Sequence, residues 1–122
     1  MIDNDLHVSV KKGDRFAPYV QCAAVWLPDS VRGAAALQYF DRHAAYFRKM
    51  AETGAFTVLE TGEDLEKLGN KQGTAFILTV EGGSAVAGDL KNIHHLRENG
   101  VRVMTLTWNG SNEIGERRHV RR

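Results

Sequence analysis

Two apolar runs constrain this chain more than any other feature. Tyr19 to Leu27 contains Val20, Ala23, Ala24, Val25 and Trp26 and stops at Pro28-Asp29. Thr74 to Val80 (Thr-Ala-Phe-Ile-Leu-Thr-Val) carries no charge and runs straight into Glu81-Gly82-Gly83. Runs of this length, bounded by turn residues, fit strands buried on both faces. Helical patterns separate them. After Ser30, read as an N-cap, Leu37, Phe40, Ala44, Phe47 and Ala51 recur at spacings of three and four. Ala36, His43 and Met50 widen that stripe, and Gly54 ends it. Phe56–Leu59 reads as a short strand. Thr61 with Asp64 marks a helix start before Leu65 and Leu68. Val86, Leu90, Ile93 and Leu96 line one side of a further helix that stops at Asn99-Gly100, and Val101–Thr107 is a third strand. Lys11-Lys12-Gly13-Asp14 is a turn candidate. Strands alternating with helices imply a parallel sheet with right-handed crossovers, an α/β fold.

Composition narrows the function classes. The chain has 122 residues, 43% hydrophobic and 25% charged, which is one globular domain's worth and excludes collagen, coiled-coil and disordered classes. A single cysteine, Cys22, excludes an intrachain disulfide and a cysteine zinc finger; its apolar neighbours read it as a buried thiol. The net charge of +1 advertises neither a nucleic acid nor an anionic membrane. Four arginines crowd into Arg117-Arg118-His119-Val120-Arg121-Arg122, so residues 1–116 without them carry −3. No aromatic residue interleaves that tail, which reads as solvated. No run approaches the roughly 20 apolar residues of a membrane span. Met1 to Asp5 is acidic and lacks the apolar core of a signal peptide, so the sequence as written reads as cytoplasmic.

Ligands of parallel α/β folds bind at the C-terminal ends of strands, here Pro28-Asp29, Glu81-Gly82-Gly83 and Trp108-Asn109. Glu81 stands out. An ionised carboxylate at the mouth of an apolar strand is costly unless paired or bound to a cation. Two glycines beside it permit close approach of a second group. A metal ligand or general base is one reading; a strand-end glutamate in water or paired with an arginine is the other. Gly82-Gly83 followed by Gly88 matches no dinucleotide fingerprint, and no Gly-Lys-Ser/Thr follows. His94 and His95 are adjacent and point about 100° apart on a helix, so they do not share a metal. His43 lies on an apolar stripe and reads as a satisfied, semi-buried side chain. Metal centres need three or more convergent groups, and the residues alone offer one.

At Glu81 the sequence resembles a known family. Thr79-Val80-Glu81-Gly82-Gly83, then Leu90-Lys91-Asn92-Ile93-His94-His95-Leu96-Arg97-Glu98-Asn99-Gly100-Val101-Arg102-Val103-Met104-Thr105-Leu106-Thr107-Trp108-Asn109, is similar to the renal (membrane) dipeptidase family of zinc peptidases. The likeness is ungapped from about Thr74 to Glu116 and weaker from Asn4 onward. It implies a (β/α)₈ barrel of the metal-dependent hydrolase type, with about three of its eight strands present, and two zinc ions at the C-terminal mouth. It implies that Glu81 bridges both ions, that Gly82 and Gly83 form the loop beside them, and that a metal-activated water hydrolyses a dipeptide. Trp108 and Asn109 fall on the substrate side; Trp108 stands where many members have a histidine. An indole donates one hydrogen bond and carries no titrating proton. The family's His-x-Asp pair, its two later histidines and its aspartate have no counterpart here. A (β/α)₈ barrel takes about 250 residues. The resemblance therefore reads residues 1–116 as an internal fragment and 117–122 as a tail foreign to the family. The expectation is a chain that is inactive alone, poorly stable or self-associating, with a homodimer allowed for a complete protein. The competing reading is a small α/β binding module without chemistry.

Overall fold

The charge-free run ahead of Glu81 forms the middle of a parallel sheet. The computed structural model describes residues 2–16, 18–70 and 73–116. In chain order the elements are α1 (Val10–Gly13), β1 (Tyr19–Trp26), α2 (Gly33–Ala51), β2 (Thr57–Val58), α3 (Gly62–Leu68), β3 (Thr74–Glu81), a 3₁₀ turn (Gly83–Val86), α4 (Asn92–Glu98) and β4 (Val103–Thr105). β1 pairs with β3 over its whole length, from Tyr19 opposite Thr74 to Trp26 opposite Glu81. The other edge of β3 is shared. β2 takes its first half, with Thr57 opposite Ala75 and Val58 opposite Phe76. β4 takes its last third, with Thr79 opposite Val103 and Glu81 opposite Thr105. All pairings are parallel, as the strand–helix alternation requires.

The pleat gives the sheet two unlike faces. Val25, Phe76, Leu78 and Val80 point into a core completed by Ala36, Phe40, Ala44 and Phe47 of α2. Phe47, Phe56 and Phe76 pack edge-on and tilted, with ring centroids 4.9 to 6.4 Å apart. The opposite face is largely open. Val20, Cys22, Ala24 and Trp26 are exposed on β1, as is Val103 on β4, while Leu59, Leu68 and Ala75 form a small second cluster toward the strand starts. The expectation that β1 is buried on both faces is thus corrected, and Cys22 is an exposed thiol. An apolar run states what a strand can bury; whether a second layer covers it depends on what else is there.

Several boundaries also move. Lys11 and Lys12 belong to α1, a one-turn helix whose Ser9 Oγ accepts the Lys12 N–H at 3.3 Å. α2 starts at Gly33 with Arg32 as its N-cap, because Pro28 to Val31 closes a turn (Val31 N–H to Pro28 C=O, 2.9 Å) that keeps Ser30 outside the helix. The helix read through Val86, Leu90, Ile93 and Leu96 is broken. Ala87 and Gly88 both take left-handed torsions, φ +53° and +73°, which end the 3₁₀ turn before α4 begins. Leu90 is consequently 72% exposed, and Ile93 is exposed as well. The strands around Val58 and Met104 are shorter than read. The start of α3 is as read, a reciprocal capping box between Thr61 and Asp64.

Candidate functional site at the strand ends

Glu81 is held from both sides. Its C=O accepts the Leu27 N–H at 3.0 Å. The next two amides continue the ladder the other way, Gly82 N–H to Thr105 C=O at 3.1 Å and Gly83 N–H to Leu106 C=O at 2.9 Å. The two neighbouring strands, β1 and β4, therefore fix the backbone that carries the carboxylate. Alternation along β3 puts the Glu81 side chain on the open face, level with Trp26 and Thr105. It is half-buried, and its carboxylate makes no hydrogen bond or ion pair with another described residue.

The two glycines after Glu81 have distinct reasons. Gly82 has φ +123°, a torsion that favours glycine. At Gly83 a Cβ would lie 2.5 Å from the Leu106 carbonyl oxygen and 2.6 Å from Ile114 Cδ1. The group that approaches Gly83 closely is the chain itself, since the segment after β4 folds back across it.

That segment brings the strand ends together. The indoles of Trp26 and Trp108 meet edge to face, with ring centroids 5.6 Å apart; both are exposed, 42% and 45%. Asn109 follows on the same rim and is likewise exposed. Gly110 packs on the Asp29 carboxylate, where a Cβ would meet the carboxylate at 2.6 Å. Asn112 shapes the loop: its amide donates to Leu106 C=O at 2.6 Å, and its Oδ1 accepts the Ile114 N–H at 2.9 Å. Glu113 then reaches the start of α2, accepting the Gly33 N–H at 3.1 Å and lying 3.4 Å from the Arg32 guanidinium. Arg32 also donates to the Ser111 carbonyl. Partial burial opposes ionisation of Glu113, but hydrogen bonds from its own N–H and that of Gly33, with the charge of Arg32, outweigh it and hold the carboxyl below its ordinary value.

Trp26 and Glu113 are the rim residues that sequence reading misses. Trp26 closes an apolar run and looks like core. Glu113 carries no local signal, because its partner is eighty residues away.

The histidines stand apart from this rim. His95 Nε2 lies 2.6 Å from Asp41 Oδ1 and links α4 to α2. His43 is exposed, correcting its semi-buried reading, though it stacks on Tyr39 and its Nδ1 lies 2.8 Å from the Tyr39 carbonyl oxygen. No three His, Cys, Asp or Glu side chains converge among the described residues. The rim's carboxylates, Glu81, Asp29 and Glu113, form no such group, so the described residues do not by themselves fit a metal centre. The arginine tail and His119 lie outside the described residues. No described helix is long and apolar enough to cross a membrane.

Parallel strands alternating with helices, with α2 packed on one face of the sheet, define a parallel α/β protein. The profile of the membrane dipeptidases, peptidase family M19, matches residues 2–121, running into the basic tail, and the chain belongs to that family of metallopeptidases. The fold is similar to a crystal structure described as dipeptidase AC, a metallopeptidase of family M19, with a TM-score of 0.77 and 17% identity. The likeness covers 87% of this chain and 35% of that one, so the chain spans about a third of the solved protein. A search of curated proteins returned no match.

Proposed function

We propose that this chain is the part of a membrane-dipeptidase-type (β/α)₈ barrel that presents Glu81 as the carboxylate shared by two zinc ions. The observation that carries the reading is the placement of Glu81. Its backbone is clamped between Leu27 and Thr105, while its carboxylate has no partner among the described residues on the open sheet face. A carboxylate has two oxygens and can span metals roughly 3.5–4 Å apart. The remaining ligands come from strands other than those of residues 2–116, since none converge on Glu81 among the described residues. Zinc, when bound, supplies an activated water for hydrolysis of a dipeptide. The chain's own residues position the metal-bridging acid and wall the rim with Trp26, Trp108 and Asn109. Gly82 and Gly83 let β3 turn away directly after the acid.

On this reading the 122-residue polypeptide alone is inactive. Incubated with zinc and alanine- or glycine-containing dipeptides, it releases no amino acid above the zinc-only blank. Hydrolysis that tracks the purified chain and disappears with chelator would show that the missing ligands are not needed and would remove the proposal.

A further inference from the structure

The loop after β4 packs on the rim through Gly110 on Asp29 and Ile114 on Gly83, and one of its polar long-range contacts also completes a helix. α2 has 19 residues, yet its N-cap, Arg32, makes no side-chain cap. Four N–H groups at a helix start lack intrahelical partners. The carboxylate of Glu113 answers one of them at Gly33, and its charge lies at the positive end of the helix dipole. Arg32 grips the same loop twice, through Glu113 and through the Ser111 carbonyl. Trp108 lies between the end of β4 at Thr105 and this anchor. Its edge-to-face contact with Trp26 therefore depends on where the loop is pinned. Asn112 bonds within the segment, Gly110 packs on Asp29 and Ile114 packs on Gly83; none of these contacts reaches α2.

We infer that Glu113 is a positioning residue: by capping α2 from the far end of the chain, it fixes Trp108 against Trp26 and so sets the shape of the rim beside Glu81. Its importance for substrate rests on the proposed function. The placement of Trp108 does not.

The test reads the indole pair directly. Trp26 and Trp108 are the only two tryptophans in the chain, so a far-ultraviolet exciton couplet between them is unambiguous. Trp108→Phe abolishes the couplet and serves as the control. Glu113→Ala is expected to cut the couplet to about half or less, as edge-to-face geometry is lost, with the helical signal kept. Exchange of the Gly33 amide should speed up about tenfold in the same variant, as expected for a lost hydrogen bond of ordinary strength. Glu113→Gln keeps an oxygen for Gly33 and should restore most of the couplet. A couplet in Glu113→Ala equal to that of the unaltered chain overturns the inference. If Glu113→Ala does not fold, Arg32→Met takes its place. Because Arg32→Met keeps the Gly33 bond, it is read beside Glu113→Met, which keeps the side chain's length but offers Gly33 no acceptor, and an unchanged couplet in Glu113→Met overturns the inference equally. The couplet reports neither zinc nor turnover, so a failure of the metal proposal would leave this result standing, and the reverse.

Discussion

Arg102 and Glu60 meet at 2.7 Å where β2 gives way to β4 along one edge of β3. Leu59 N–H bonds to Phe76 C=O at 2.9 Å, and Arg102 N–H bonds to Leu78 C=O at 3.0 Å, so the two short strands continue each other with this pair at the seam. The Arg102 guanidinium also donates to the carbonyls of Glu60, Arg97 and Val101. Four acceptors on one side chain tie the end of α4 to both strands. Arg102→Ala should cost about 1–2 kcal/mol in urea unfolding, more than the 0–1 kcal/mol of an exposed ion pair, because backbone acceptors lose a charged donor. An unchanged midpoint would show the seam to be held by the strands alone.

Gly83 should tolerate no side chain. Alanine there would press its Cβ against the Leu106 carbonyl, backbone that cannot swing aside, and against the terminal methyl of the exposed Ile114. Gly83→Ala is expected to destabilise by about 1–3 kcal/mol, the range for overpacking. It should also shift the amide resonances of Leu106 and Ile114. Gly33, with open space around its Cα, is the contrasting case where only the φ of +54° resists alanine.

Acid should weaken the start of α3. The Asp64 carboxyl lies below the ordinary aspartate value of 3.8, because it accepts the Glu60 N–H, then the Thr61 hydroxyl and the Thr61 N–H. A carboxyl depressed in the folded state stabilises it fully above the unfolded value and loses that contribution as pH falls through the folded one. The capping box therefore holds at neutral pH and fails below about pH 3.8, and Glu113 titrates with the same sign. Melting temperature against pH should drop in that window for the unaltered chain. In Asp64→Asn the drop should be smaller, from a lower neutral starting point. Equal slopes would mean that other carboxyls dominate.

The open face should make the isolated chain associate. Val20 (39% exposed), Trp26 and Val103 (55% exposed) lie on it, and the outer edge of β1 is unpaired over eight residues among the described elements. Exposed apolar strands with free edges invite pairing with another chain. Sedimentation should show mass rising with concentration, and Val20→Lys with Val103→Lys should reduce it without lowering the melting temperature. A monomer at all concentrations would contradict this.

Local patterns are legible in the sequence; long-range partners are not. Glu81 was visible because a carboxylate ends a charge-free run and two glycines follow, a local pattern with a local cause. The Thr61–Asp64 capping box was visible for the same reason. What escaped was everything set by distant partners. The alternation of exposed and covered residues on β1 follows from a layer that covers one face only, and Val20 and Cys22 are as apolar as Val25. The break at Ala87 needs a left-handed torsion in a residue that rarely adopts one, so the helical spacing of Val86, Leu90 and Ile93 was misleading. Trp26 reaches the rim through its register with Glu81, and Glu113 through a contact with Gly33; neither pairing leaves a mark in nearby sequence.

The most direct measurement concerns the acid itself. Residues 2–116 would be combined with the remaining strands of a family M19 dipeptidase, and bound zinc and dipeptide hydrolysis measured before and after Glu81→Gln, with circular dichroism confirming the fold. The expected result is two zinc ions and turnover in the parent, against fewer ions and a rate lowered at least about a thousandfold in the variant, the scale at which losing a key charge at a catalytic centre is felt. A glutamine variant that keeps both ions and the parent's rate would contradict the role assigned to Glu81.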